Sequence, residues 1–187
     1  MATITSHHET GESSERIFEG RIVNLRVDTV RFQNGHTGKR EVVEHGGAVA
    51  IVPILADDET VVLVRQWRTP VGGALLEVPA GGIEKGEDPE TCAKRELTEE
   101  IGQTAAELVH LYTAFVAPGY CTEKIYCYLA LGLSDQRADP DEDEFVERVE
   151  MKLDAAIAAI ATGEIQDAKT IAGLTLAARH LAARSAA

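Results

Sequence analysis

Residues 81–103 read GGIEKGEDPETCAKRELTEEIGQ, and this stretch limits what the chain can fold into and do. A helix turns by about 100° per residue, so Glu96, Glu99 and Glu100, at i, i+3 and i+4, project from one face within one turn. Left unneutralised, three such carboxylates repel one another and weaken the helix. Hard oxygen donors on neighbouring turns suit Mg²⁺ or Mn²⁺. The flanks predict the helix limits. Asp88 before Pro89 is an N-cap followed by proline at the first helical position, and Gly102 is placed as a left-handed C-terminal cap. Ala93, Leu97 and Ile101 form an apolar stripe beside the acidic face. Gly81, Gly82 and Gly86 allow a tight preceding loop, and Glu87 and Arg95 are placed to pair across it.

This pattern resembles the Nudix box, G-x5-E-x7-R-E-U-x-E-E-x-G-U, in which U is apolar. Gly81, Glu87, Arg95, Glu96, Leu97, Glu99, Glu100 and Gly102 fall in place. The departure is Gln103, where an apolar residue is usual; it touches packing and not ligation. An acidic helical run otherwise reads as a solvated face, and the number of fixed positions argues against that here.

With 187 residues and 44% apolar content, the chain is long enough for one compact domain with a small accessory element. A formal charge of −13 opposes unaided binding to nucleic acid or anionic membrane, so a phosphorylated substrate requires metal and local arginines. There is no apolar run of the ~20 residues needed to span a bilayer, and the first residues lack the core of a secretory signal. Cys92, Cys121 and Cys127 are odd in number and form no CxxC pair, as expected of reduced structural thiols in the cytoplasm.

Residues 1–15 are polar and expected to form a mobile tail. Alternating residues on both sides of Asn34-Gly35 predict a strand, turn and strand within residues 16–45. From Ala48 the segments AVAIVPIL and VVLVRQWR, separated by Asp57-Asp58, predict β-rich strands, and Leu75–Val78 leads into the glycine loop. Further strands are expected near Glu107–Phe115, Lys124–Leu131 and Phe145–Met151, with an acidic loop at Ser134–Glu144. Helices are expected at Leu153–Thr162 and Ala168–Ala183, the second capped by Asp167. This pattern implies an α/β protein with a mixed sheet between helices; the resemblance implies a Nudix-type α/β/α sandwich over residues 46–187, preceded by a small N-terminal antiparallel β-domain at 16–45.

Beyond the box, VRQWR and the subsequent E-x-PAG segment are similar to the branch acting on ADP-ribose and other nucleoside diphosphate sugars. Val116-Ala117-Pro118-Gly119-Tyr120 resembles that branch's S/A-P-G loop, whereas His45-Gly46-Gly47 stands where relatives often carry His-Pro-Gly. The resemblance implies that Glu96, Glu100 and the Ala80 carbonyl are metal ligands. It also implies that Glu99 and Arg95 complete the catalytic cluster and that Arg68 and Glu123 contact substrate. Alternation along a strand sends Arg65 and Arg68 to opposite faces. Phe18 and Glu19 match positions that contact adenine or ribose, with an ordinary strand role as the alternative. Tyr120 and Trp67 are equally readable as packing aromatics or nucleobase contacts.

In the acidic loop, Glu142 and Glu144 match an E-x-E pair, with Glu142 expected as the general base and Glu144 as a metal ligand; Asp141, Asp143 and Glu147 leave the register open. The resemblance therefore implies Mg²⁺-dependent hydrolysis, with Mn²⁺ or another divalent ion as an alternative. ADP-ribose or a related nucleotide sugar would be split by a homodimer that shares its N-terminal strands. The competing readings are a Nudix pyrophosphatase for a dinucleotide or damaged nucleoside triphosphate, and a non-catalytic nucleotide sensor.

Overall fold

The structure, a computed structural model, describes residues 8–136 and 146–186. The chain divides into two compact units, one made of the segment up to Gly46 plus Phe115–Lys124, the other of Gly47–Ala114 plus Ile125–Ala187.

The first unit holds a three-stranded antiparallel sheet of β1 (Thr10–Glu19), β2 (Asn24–Arg31) and β3 (Thr37–Glu44), in that order. The β2–β3 reversal centres on Asn34-Gly35, as expected. Gly35 has φ 85°, a conformation natural to glycine, and the Asn34 side chain accepts from the His36 amide at 3.1 Å. Strand β1 begins at Thr10, within the stretch expected to be a tail. Every residue of β1 is exposed. Such a strand is held by backbone bonds to β2 and leaves no apolar alternation in the sequence. The unit also takes in Phe115–Lys124. Ladder-like bonds dock this segment on β3: the Val43 amide donates to Tyr120 O at 2.8 Å and the Thr122 amide to Val43 O at 3.0 Å.

The second unit contains two sheets. One has the order β10 (Val146–Lys152), β5 (Thr60–Arg68), β6 (Gly73–Glu77). The other has the order β7 (Ala80–Gly82), β4 (Gly47–Pro53), β9 (Lys124–Asp135), β8 (Gln103–Phe115). Strand alternation explains how they lie between helices. From β4, Ala48, Ala50 and Val52 join one core with Leu153, Ala156 and Ala159 of α2 (Leu153–Thr162) and Leu174 and Ala177 of α3 (Ala168–Ser185). Val49 and Ile51 point the other way, into a core with Cys92, Ala93, Leu97 and Ile101 of α1 (Pro89–Ile101). In β5, Val61 and Leu63 serve the first core and Val62 and Val64 the second. Period-two strands that are apolar on both faces require cover on both sides, and the result is the expected α/β/α sandwich.

Candidate active site

The loop and helix of residues 81–102 form as their residue types dictate. Asp88 caps α1 by accepting from the Glu90 and Thr91 amides, both at 3.1 Å, and Pro89 opens the first turn. Gly102 ends it at φ 67°. The stripe of Ala93, Leu97 and Ile101 is buried, which turns the acidic face toward β7 and its loop.

Arg95 is the hub of that face. Its Nε and Nη2 donate to the two carboxylate oxygens of Glu87 at 3.0 and 3.1 Å, and its Nη1 reaches Glu96 Oε1 at 2.7 Å and Glu99 Oε2 at 2.8 Å. Nη2 also bonds Gly82 O at 3.0 Å, so one guanidinium ties the loop to the helix. The Arg95 fork holds the Glu87 carboxyl down to about 2, and the same pairing, foremost with Glu87, raises Arg95 above its ordinary range. Burial pushes the neighbouring Cys92 thiol up to about 12, so it is an inert packing group.

Gly81 has a steric reason. A Cβ built there would stand 1.9 Å from Glu96 Oε1, so only glycine lets the buried Glu96 carboxylate lie against the β7 backbone. On the same strand the Ala80 amide donates to Glu100 Oε2 at 3.1 Å. The expected ligand residues Ala80, Glu96 and Glu100 are thus brought together with Glu99, Glu87 and Arg95. Among the described residues, no three His, Cys, Asp or Glu side chains are gathered as a ready cation cage, since Arg95 and the Ala80 amide engage these carboxylates. The donor chemistry still fits a hard divalent ion, with carboxylates on one helical turn and a backbone strand held beside Glu100.

Arg68 and Arg65 part as strand alternation predicts. Arg65 pairs with Glu147 at 3.5 Å, with both side chains exposed to solvent. Arg68 donates from Nε and Nη2 to both oxygens of Glu77 at 2.8 Å, and its charge is further favoured by Glu100. Glu77 is 1% exposed; it is the glutamate of the E-x-PAG segment, to which the sequence alone assigned no role. Burial pushes its carboxyl up most strongly, but Arg68 and Lys169 together hold it below its ordinary value. Lys169 also bonds Asp167 at 3.0 Å, giving two cations and two carboxylates in one cluster. Besides E-x-PAG, the signal in the chain is a carboxylate within the apolar run LLEVP, since a buried glutamate must be paired.

The remaining expected contacts belong to the first unit or fall outside the described residues. Phe18 and Glu19 lie on exposed β1, and the Phe18 side chain is 56% exposed. Glu123 stands 3.6 Å from His45 Nδ1. Glu142 and Glu144 lie outside the described residues. Tyr120 and Trp67 are exposed, so neither is a core aromatic.

Residues 44–174 match the NUDIX domain family, and residues 10–43 match the nucleoside diphosphate sugar hydrolase N-terminal domain. The chain is 44% identical over 160 residues to the methanol dehydrogenase activator of Bacillus methanolicus, covering 84% of this chain and 86% of that protein. It is 41% identical, over the same length and shares, to the ADP-ribose pyrophosphatase of Bacillus subtilis (strain 168). A GDP-mannose pyrophosphatase of Citrobacter koseri is 36% identical over 159 residues, or 79% of this chain and 82% of that one. The crystal structure of an ADP compounds hydrolase superposes with a TM-score of 0.86 at 26% identity, covering 98% of this chain and 100% of the other. With its box residues assembled around Arg95 and both halves of the chain matched, this protein belongs to the Nudix hydrolases and carries the N-terminal domain of the nucleoside diphosphate sugar hydrolases.

Proposed function

We propose that the protein hydrolyses the diphosphate bond of ADP-ribose or a related nucleoside diphosphate sugar, giving AMP and ribose 5-phosphate from ADP-ribose. The observation that carries this reading is the carboxylate cluster of Glu87, Glu96 and Glu99 organised by Arg95, with Glu100 anchored on Ala80. Likeness to an ADP-ribose pyrophosphatase over 84% of the chain supports the substrate class.

In this reading Glu96, Glu100 and the Ala80 carbonyl, joined by Glu144, would hold Mg²⁺, with Mn²⁺ as the alternative. A divalent ion bound there would supply Lewis-acid charge for diphosphate hydrolysis. Arg68 adds a fixed cation beside Glu100, and its pairing with Glu77 orients the guanidinium before substrate arrives. Glu99 and Arg95 hold the carboxylate cluster in register. Glu142 is the proposed base that takes the proton of the attacking water, while Phe18, Glu19 and Glu123 are the proposed nucleoside and ribose contacts.

The proposed assembly is a homodimer. Support comes from β1, an edge strand of ten exposed residues, and from Ile17 and Phe18 upon it, 51% and 56% exposed. Three free cysteines fit a reducing cytoplasm, and no helix among the described residues is long and apolar enough to cross a membrane.

A panel of ADP-ribose, GDP-mannose, dinucleotides and nucleoside triphosphates, with product identification, tests the reading. ADP-ribose should be preferred and yield AMP. Preference for a triphosphate without ADP-ribose turnover would reject the substrate class, and binding of ADP-ribose without turnover under Mg²⁺ and Mn²⁺ would favour a sensor.

A further inference from the structure

The first turn of α3 grips the chain on both sides of the peptide that leads into the box. Lys169 Nζ bonds the Glu77 carboxylate, and Thr170 Oγ1 accepts from the amide of the next residue, Val78, at 2.9 Å. Thr170 is 0% exposed, as is Val78. A hydroxyl has one proton to donate, and here it goes to Asp167 Oδ2 at 2.6 Å, so the oxygen meets the Val78 amide as an acceptor. Asp167 is itself fixed by capping α3 through the Thr170 amide at 2.9 Å and by Lys169 at 3.0 Å.

Only a short peptide joins Val78 to the carboxylate cluster. Pro79 O accepts from the Ile51 amide at 2.8 Å, and Ala80 then pairs with Ala50 of β4 and donates to Glu100. The backbone beside Glu100 thus begins two positions after the gripped Val78. A peptide this short transmits displacement, because each residue has only two soft dihedrals and proline fixes one of its own.

We propose that Thr170 is a positioning residue for the metal-binding part of the site, its hydroxyl setting where the Ala80 backbone and Glu100 stand by holding Val78 against the Asp167 cap. This rests on the reading of Ala80, Glu96 and Glu100 as divalent-ion ligands. Partners that orient ligands from behind commonly change metal affinity or activity by about 10–100-fold when removed. Thr170 acts one step further back, through the backbone, and an effect of about 10-fold is expected on that scale.

The test measures Mn²⁺ binding to the substrate-free protein by electron paramagnetic resonance, alongside amide exchange at Val78. Thr170→Val keeps the side-chain shape and deletes the hydroxyl. It should fold, expose the Val78 amide to faster exchange and bind Mn²⁺ about 10-fold more weakly. Thr170→Ser restores the hydroxyl and should recover both readouts. Should Thr170→Val not accumulate as folded protein, Thr170→Ala is scored in the same way. Wild-type Mn²⁺ affinity in a folded variant with only a lowered Tm would overturn the proposal, as would a serine variant that behaves like valine. If the wild-type enzyme turns over no nucleoside diphosphate sugar, the substrate assignment fails, while the Mn²⁺ comparison still decides the role of Thr170.

Discussion

Glu100 and Glu96 reach β7 in different ways, one through an amide bond and the other through space that only Gly81 leaves. Glu100→Gln keeps the shape and removes the charge, so turnover should fall on the order of 10²–10³-fold, the scale for loss of a group that stabilises transition-state charge. Circular dichroism should be unchanged; near wild-type turnover at saturating substrate and metal would exclude an essential ligand role. Glu87 makes a pH prediction. Its ordinary value is 4.5 and Arg95 depresses it to about 2 in the folded protein. Its stabilisation is therefore fully present above about 4.5 and is lost as pH falls through about 2. The Tm difference between wild type and Glu87→Gln, monitored by calorimetry, should shrink across that window; a constant difference would show that the carboxylate charge is not the source. Gln103 replaces the usual apolar residue of the box. It is 8% exposed, and among the described residues its Oε1 has no hydrogen-bond partner, although Nε2 reaches Asp135 at 3.3 Å. An unsatisfied buried carbonyl costs about 1–3 kcal/mol, so Gln103→Leu should raise Tm without changing kcat, and a lowered Tm would show that the Asp135 bond dominates.

At the scale of elements, α1 is the part whose limits, caps and buried face are most legible in the sequence. Its signals are local: Asp88 and Pro89 act within one turn, Gly102 answers a left-handed backbone, and the stripe repeats at helical spacing. Asp88→Ala removes the acceptor for two amides and should lower the denaturant midpoint of the protein. No change would mean that packing of the stripe alone holds the first turn. Strand β1 is the opposite case. Its exposed residues alternate nothing, and the strand exists because β2 offers a backbone ladder. Thr170 is likewise silent in the sequence, since its partner Val78 lies 92 residues away and a lone threonine in a helix start carries no distance information. The E-x-PAG segment contains Glu77 but does not state its pairing with Lys169, also 92 residues away.

For the whole molecule, ten exposed residues on an edge strand, two of them Ile17 and Phe18, form a surface that an isolated chain leaves uncovered. Closed two-fold pairing is the common way to cover such a surface. Deleting residues through 45 should convert a dimer to a monomer in analytical ultracentrifugation and weaken ADP-ribose binding in calorimetry. A fully active monomer would reject the shared-site reading.

Local rules are enough to read the acidic turn, its caps, the glycine loop, the Asn34-Gly35 reversal and the two-sided apolar strands, because each depends on dihedral preference or on a fixed side-chain period. The resemblance of the box then narrows the chemistry to diphosphate hydrolysis. Folding settled the pairings. Arg95 could have met Glu87 alone, yet it also holds Glu96, Glu99 and Gly82. Arg68 is anchored by a buried Glu77, and α3 returns across the sheet to hold Val78. Charge pairing and burial depend on distances through space, and a linear pattern states which donors and acceptors exist without stating which will meet.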